Sequence, residues 1–165
     1  MCGIFGVFAR ARRPEEETRR ELTRGLDRIR HRGPDGSGIW VAPDGQVGFG
    51  HARLSVIDLT TGDQPMSCEN GRYTIIYNGE VYNYLELRQE LGAQDFRTTS
   101  DTEVILRAFI RWGADCVTHL RGMFAFAIWD AKEHRMFLAR DRFGIKPLYW
   151  TLTKDGLYFL SLIHI

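Results

Sequence analysis

Cys2, Arg53, Asn78-Gly79 and Asp101 are the residues whose types could carry chemistry. Cys2 stands in Met1-Cys2-Gly3-Ile4-Phe5-Gly6. A small second residue generally permits removal of the initiator methionine. That would leave a thiol and an α-amine on one residue. Reference pKa values are about 8.5 for the thiol and about 7.7–8.0 for the amine. The amine can therefore take the thiol's proton near neutral pH, directly or through a water, which is the general way of activating a nucleophile. A buried strand with an ordinary core cysteine is the plainer alternative. Arg53 ends an otherwise apolar run; it reads as a surface residue or as a planar fork for a carboxylate. Asn78-Gly79 reads as a structural turn, or as a side-chain amide and a backbone N–H converging on an oxyanion. Asp101 reads first as a helix-dipole partner.

The elements that must position these residues follow from periodicity. Residues 2–9 form an apolar strand. Pro14 opens a helix whose Leu22, Leu26 and Ile29 share a face, with Glu15, Glu16 and Glu17 in its first turn. The stretch from Arg10 to Arg32 holds nine arginines interleaved with five acidic residues, so it reads as a solvated face. His31 to Gly38 is expected to be a loop, and it lacks the pattern of a phosphate cradle. Residues 39–42 and 46–57 are expected as strands around Pro43-Asp44-Gly45. Asn70-Gly71 signals a hairpin before the strand Tyr73 to Tyr77. Asn78-Gly79 is expected as a strand-to-helix junction, with Tyr84, Leu87 and Leu91 on the helix. Ser100 and Glu103 suggest a capping box on a helix running to Gly113, and a short helix follows around 115–120. Met123 to Trp129 and Met136 to Ala139 are expected as a hairpin buried on both faces. A charged loop over 140–147 leads to a last hairpin, 148–152 and 157–160. Mostly strands, with a few inserted helices, means α+β with antiparallel sheets.

The 165 residues are the size of one domain, with 44% hydrophobic and 26% charged residues and a net charge of +1. Nothing in this balance calls for nucleic acid or membrane. No signal peptide is expected. Three cysteines, Cys2, Cys68 and Cys116, without a CxxC pair, argue against a disulfide framework or a zinc site. A reducing, cytoplasmic setting fits a usable thiol.

Seven motifs in order carry a resemblance: Cys2 to Gly6, Arg30 to Asp35, Arg53 to Asp58, Tyr77 to Asn83, Ser100 to Val104, Gly122 to Ala127 and Arg140 to Tyr149. Over residues 2–159 the chain resembles the N-terminal glutaminase domain of glutamine-hydrolysing asparagine synthetase, a class II glutamine amidotransferase. The resemblance implies the N-terminal-nucleophile hydrolase fold, a four-layer αββα sandwich of two antiparallel sheets. It implies Cys2 as nucleophile on the glutamine amide, a thioester intermediate, and Asn78 and Gly79 as oxyanion donors. It further implies Arg53 on the α-carboxylate and Asp101 on the α-ammonium, helped by Glu80 and by the backbone of Leu54, Ser55, Val56 and Ile57. No metal is implied in this chain; ATP and Mg are expected only in the synthetase domain. Partners expected are L-glutamine, the synthetase domain in cis and, where the chain self-associates, a homodimer.

The chain departs from the family at its end. The usual Phe-Ala-Ser-Glu becomes Phe159-Leu160-Ser161-Leu162, and no SGGxDS pyrophosphate loop is present. Residues 2–160 are therefore read as the amidotransferase domain and 161–165 as a divergent or truncated tail. Other readings are a truncated, catalytically idle partner-binding module, an N-terminal-cysteine hydrolase of another amide, and an amidotransferase with a different ammonia acceptor.

Overall fold

A computed structural model describes residues 2–54 and 62–161. The expectations at Ser55, Val56 and Ile57 lie outside the described residues. Two antiparallel sheets form the centre. The first joins β1 (Gly3–Ala9), β2 (Gly36–Val41), β3 (Val47–Arg53), β8 (Tyr149–Leu152) and β9 (Gly156–Leu160) in the order β2-β3-β1-β9-β8. The second joins β4 (Met66–Cys68), β5 (Tyr73–Val81), β6 (Gly122–Asp130) and β7 (Arg135–Arg140) in that order. The helices are α1 (Glu15–Ile29), α2 (Tyr84–Glu90), α3 (Asp101–Trp112) and α4 (Cys116–His119). None of the described helices is long and apolar enough to cross a membrane.

Side chains alternate across a strand, so each central strand feeds two apolar layers. On β5, Ile76 faces the first sheet and Ile75 and Tyr77 face the helices; on β6, Ala127 and Trp129 do the former and Phe126 and Ile128 the latter. Between the sheets lie Ile4, Phe49, Ile76, Trp129 and Phe159. Leu22, Leu26 and Ile29 of α1 cover the outer face of the first sheet, against Phe5, Val7 and Ala52. Val104, Ile105 and Ala108 of α3, with Leu87 and Leu120, cover the outer face of the second. The result is helix, sheet, sheet, helix. Phe143, Ile145, Trp150 and Leu152, in the last loop and on β8, are exposed.

Several local expectations are corrected. Asn78-Gly79 does not leave the strand; β5 runs on to Val81, paired with β6 from Tyr73↔Asp130 to Val81↔Gly122. Each buried side chain such as Ile75, Ile76 or Val81 contributes about 1.5–3 kcal/mol, which outweighs a strand propensity spread of about 1 kcal/mol. Glycine is needed at 79 for another reason: a Cβ there would lie 2.2 Å from the Met123 carbonyl oxygen. Gly36-Ser37-Gly38 is strand, not loop, paired with Arg53, Ala52 and His51. A Cβ on Gly38 would meet the Gln64 carbonyl oxygen at 2.0 Å, so the glycine marks a close backbone approach. Ser100 caps α3 by accepting from the Thr102 N–H, not from Glu103. The Glu103 carboxylate instead turns back to the Arg97 and Thr98 N–H groups, whose chain passes over the first turn. β7 is half exposed because it is the edge of its sheet, so only β6 is buried on both faces. The hairpin at Asn70-Gly71 forms as expected, with positive φ at both residues.

The motif from Arg30 to Asp35 supports the site from below. A Cβ on Gly33 would lie 2.2 Å from the Ala52 carbonyl carbon, backbone next to Arg53. Gly33→Ala is expected to cost about 1–3 kcal/mol of stability, because two backbones must separate. Urea unfolding of the variant measures this, and an unchanged midpoint contradicts the close packing.

Candidate active site

β1 and β3 pair with Gly3 opposite Ala52 and Ile4 opposite His51. Alternation then puts Cys2 and Ile4 of one strand, and His51 and Arg53 of the other, on the face turned to the second sheet. From the second sheet, β5 presents Asn78 and Glu80 on the face it shares with Ile76. These residues meet in a cleft of about 140 Å³ at the rim of the inter-sheet core, lined also by Tyr77, Gly79, Asp101, Thr102 and Lys146. Cys2, Arg53, Leu54, Asn78, Gly79, Glu80 and Asp101 all line it.

The Cys2 thiol is held at both of its hydrogen-bonding capacities by one residue. It donates to the Leu54 carbonyl at 3.4 Å and accepts from the Leu54 N–H at 3.3 Å. It is half-buried, whereas Cys68 and Cys116 are buried and their thiols are pushed up to about 11 and about 12 by burial. A thiolate is the nucleophile, so those two are inert near neutral pH.

The Asn78 amide donates to Ser161 Oγ at 3.3 Å, and Ser161 Oγ also accepts from the Ile4 N–H at 3.0 Å. Ser161 is 1% exposed and ties the two sheets together just beyond β9. Gly79 presents its N–H to the cleft for a reason of register. Phe124, opposite Gly79, turns its N–H and carbonyl away to Asp141. The Gly79–Phe124 pair is thus a non-hydrogen-bonded one, and Gly79 aims its polar groups off the free edge of β5. Its neighbours at the same period do likewise: Tyr77 N–H donates to Gln64 Oε1 at 2.6 Å, and Val81 N–H donates to Asp101 Oδ2 at 3.1 Å.

Asp101, at the first turn of α3, is 4% exposed. It accepts from the Tyr77 hydroxyl at 2.8 Å as well as from Val81. Burial raises its pKa, and the nearby Glu80 carboxylate adds to the rise. Two carboxylates facing one cleft favour a cation between them. Lys146, from the last loop, is buried at the site; burial lowers its pKa while Glu80 pulls it back up. Arg53 Nη1 pairs with the exposed Asp63 carboxylate at 2.7 Å. The guanidinium is thus oriented at the cleft mouth with a carboxylate already seated on it.

His51, Lys146 and Tyr77 are site residues to which sequence reasoning attached no role. His51 stands two positions before Arg53, which puts both on one strand face; that spacing is a legible signal. Lys146 arrives from a loop remote in sequence, and no local pattern announces it.

A glutamine amidotransferase domain family model matches residues 1–164. The chain is 48% identical over 164 residues to asparagine synthetase [glutamine-hydrolyzing] 1 of Bacillus subtilis (strain 168), covering 98% of this chain and 26% of the relative. It is 45% identical over 163 residues to a putative asparagine synthetase [glutamine-hydrolyzing] of Mycobacterium tuberculosis (strain ATCC 25618 / H37Rv), covering 90% and 25%. It is 38% identical over 167 residues to amidase chry2 of Gibberella zeae, covering 95% and 25%. The chain thus spans about a quarter of the length of these relatives. Among solved structures, glutamine phosphoribosylpyrophosphate amidotransferase from B. subtilis superposes with a TM-score of 0.76 at 27% identity, covering 97% of this chain and 42% of that one. The four-layer architecture is that of the N-terminal-nucleophile hydrolases, as the resemblance implied.

Burial lowers the His51 pKa from 6.5 to about 4; the Tyr77 backbone, which acts to raise it, is outweighed. The unfolded chain binds a proton on His51 below pH 6.5 and the native one does not. Stability from this group is therefore full above pH 6.5 and is lost as pH falls towards 4, by about 3 kcal/mol. In urea unfolding at pH 7 and pH 4, His51→Asn should lose that much less than the parent. Equal losses contradict a buried neutral ring.

Proposed function

The chain belongs to the glutamine amidotransferase domain family, and on that premise we propose that it hydrolyses the side-chain amide of glutamine to glutamate and ammonia. One observation carries this reading: a held thiol, an open-edge backbone N–H, a side-chain amide, a guanidinium and two carboxylates converge in one cleft. Arg53 exchanges its contact with Asp63 for the α-carboxylate of glutamine. Asp101 and Glu80 take the α-ammonium. Holding both ends of the amino acid sets the amide carbon at Cys2.

With Met1 removed, the Cys2 α-amine accepts the thiol proton and sulfur attacks the amide carbon. The carbonyl oxygen becomes an oxyanion, stabilised by the Asn78 side chain and the Gly79 N–H. Collapse breaks the carbon–nitrogen bond, and the proton held by the α-amine leaves with nitrogen as ammonia. Water then attacks the thioester, the α-amine takes its proton, and the carbon–sulfur bond breaks to return the thiol. Ser161 keeps the Asn78 amide aimed. Neutral Cys68 and Cys116 take no part.

The use of the ammonia is a further step of the proposal. The asparagine synthetase relatives favour an ATP- and Mg-dependent synthetase domain in cis, forming asparagine. The similarity to an amidase keeps a related acceptor in view. No ATP chemistry is assigned to the residues of this chain.

Glutamate release from glutamine, measured on protein whose intact mass confirms loss of Met1, tests the reading. Cys2→Ala should abolish it. Asn78→Ala should lower kcat by about 10²–10³, the usual effect of losing one oxyanion donor. Arg53→Ala should act mainly through KM. Release by Cys2→Ala at the parent rate would sink the proposal.

A further inference from the structure

His51 is the last polar side chain before the inter-sheet core. Going inward along the same face of β3, Arg53 stands at the mouth, then His51, then Phe49, which is fully buried. His51 itself is 1% exposed and lines the cleft with Cys2 and Asn78. Neither ring nitrogen has a hydrogen-bond partner among the described residues. The Tyr77 backbone lies near enough to influence the ring but makes no hydrogen bond of good geometry with it. An unpaired buried polar group carries a penalty that Phe49, one step further in, avoids. The arrangement makes sense when a ligand group completes it.

The groups around the ring indicate which ligand group that is. Arg53, Glu80 and Asp101 suit the charged end of an amino acid. Asn78 and Gly79, both on β5, suit the carbonyl oxygen. Of a primary amide, the nitrogen alone remains, and it carries two N–H donors. With the oxygen turned to the second sheet, the nitrogen turns to the first, where His51 offers an uncharged ring. A neutral imidazole accepts at one nitrogen and donates at the other. It can hold an amide N–H, and then ammonia, without protonating the product.

We propose that His51 is the contact for the leaving nitrogen of the substrate, taking a hydrogen bond from the amide N–H as Cys2 attacks. The role rests on the glutaminase reading above and deepens it. His51 transfers no proton; the thiol's proton travels through the Cys2 α-amine as already described.

The contact predicts a difference between substrates that share everything except the leaving group. L-Glutamine leaves as ammonia; the γ-methyl ester of L-glutamate leaves as methanol and offers no N–H. Both give the same glutamyl thioester. Since kcat/KM contains only steps up to that thioester, its later hydrolysis does not enter the comparison. His51→Leu should lower kcat/KM for glutamine about tenfold more than for the ester, the scale of one hydrogen bond in a desolvated site. His51→Asn, which keeps a side-chain acceptor, should recover most of the glutamine rate. Alkylation of Cys2 by a diazoketone analogue of glutamine, which lacks the amide nitrogen, reports whether the pocket is intact in each variant. Should His51→Leu fail to fold, His51→Met fills the same space with a flexible apolar chain, and the same ratio is read from it. An equal fall for both substrates, or no fall for either, overturns the role of His51. Parent protein that neither hydrolyses glutamine nor reacts with the diazoketone overturns the glutaminase reading instead.

Discussion

The antiparallel register between β1 and β3 sets up the site. With Gly3 opposite Ala52, residue 2 lies beside residues 53 and 54, and its thiol falls between the Leu54 N–H and carbonyl. A slip of β1 by one residue would turn Cys2 towards α1 and leave it on the opposite face from Arg53 and His51. The register is held by burial on both sides: Ile4 and Phe49 press on the second sheet, while Phe5 and Val7 press on α1. Cys2 thus sits at the end of a strand whose side chains are anchored on both faces. A strand end that would ordinarily fray is given a fixed position.

The second sheet contributes through the free edge of β5. β4 is short and pairs only with Tyr73 to Ile75, so the N–H groups of Tyr77, Gly79 and Val81 project past its end. Two of them are taken, by Gln64 and by Asp101. Gly79 lies between them. An edge that would invite pairing with another chain is instead used as a row of donors. Gln64 reinforces this by bridging Tyr77 to Thr102 at the start of α3. Asp101 is thereby fixed from two sides, by β5 and by its own helix.

The cleft holds polar groups of two kinds. Arg53, Asp63, Glu80, Lys146 and Asp101 are ionisable, and Asp101 and Lys146 among them are buried. Asn78, Ser161, the Gly79 N–H and a neutral His51 are uncharged. A zwitterionic head group suits the first set and a neutral amide the second. Burying charge is costly, and the two buried ionisable groups have partners that offset it: Tyr77 and Val81 donate to Asp101, and Glu80 lies near Lys146.

Much of this was legible in the residues. The 3.6-residue spacing of Leu22, Leu26 and Ile29 specified α1, and the motif string from Cys2 to Tyr149 pointed to the fold and to the cleft residues. The misreadings share a cause. Asn-Gly and glycine-rich stretches are local turn signals; at Gly36 to Gly38 they lost to the ladder with the next strand, β3, and at Asn78-Gly79 to the ladder with the remote β6. The partner of Glu103 was misassigned because the Arg97 and Thr98 N–H groups compete for the same carboxylate. The roles of Lys146 and Ser161 depend on neighbours more than 60 residues distant. The sequence by itself determined the strand and helix periods, the presence of a second-position thiol and the residue types around it. The tertiary structure decided which face each residue takes, which backbone N–H is turned to the cleft, and that His51 is buried and neutral. Those depend on long-range register and desolvation, which no local pattern contains.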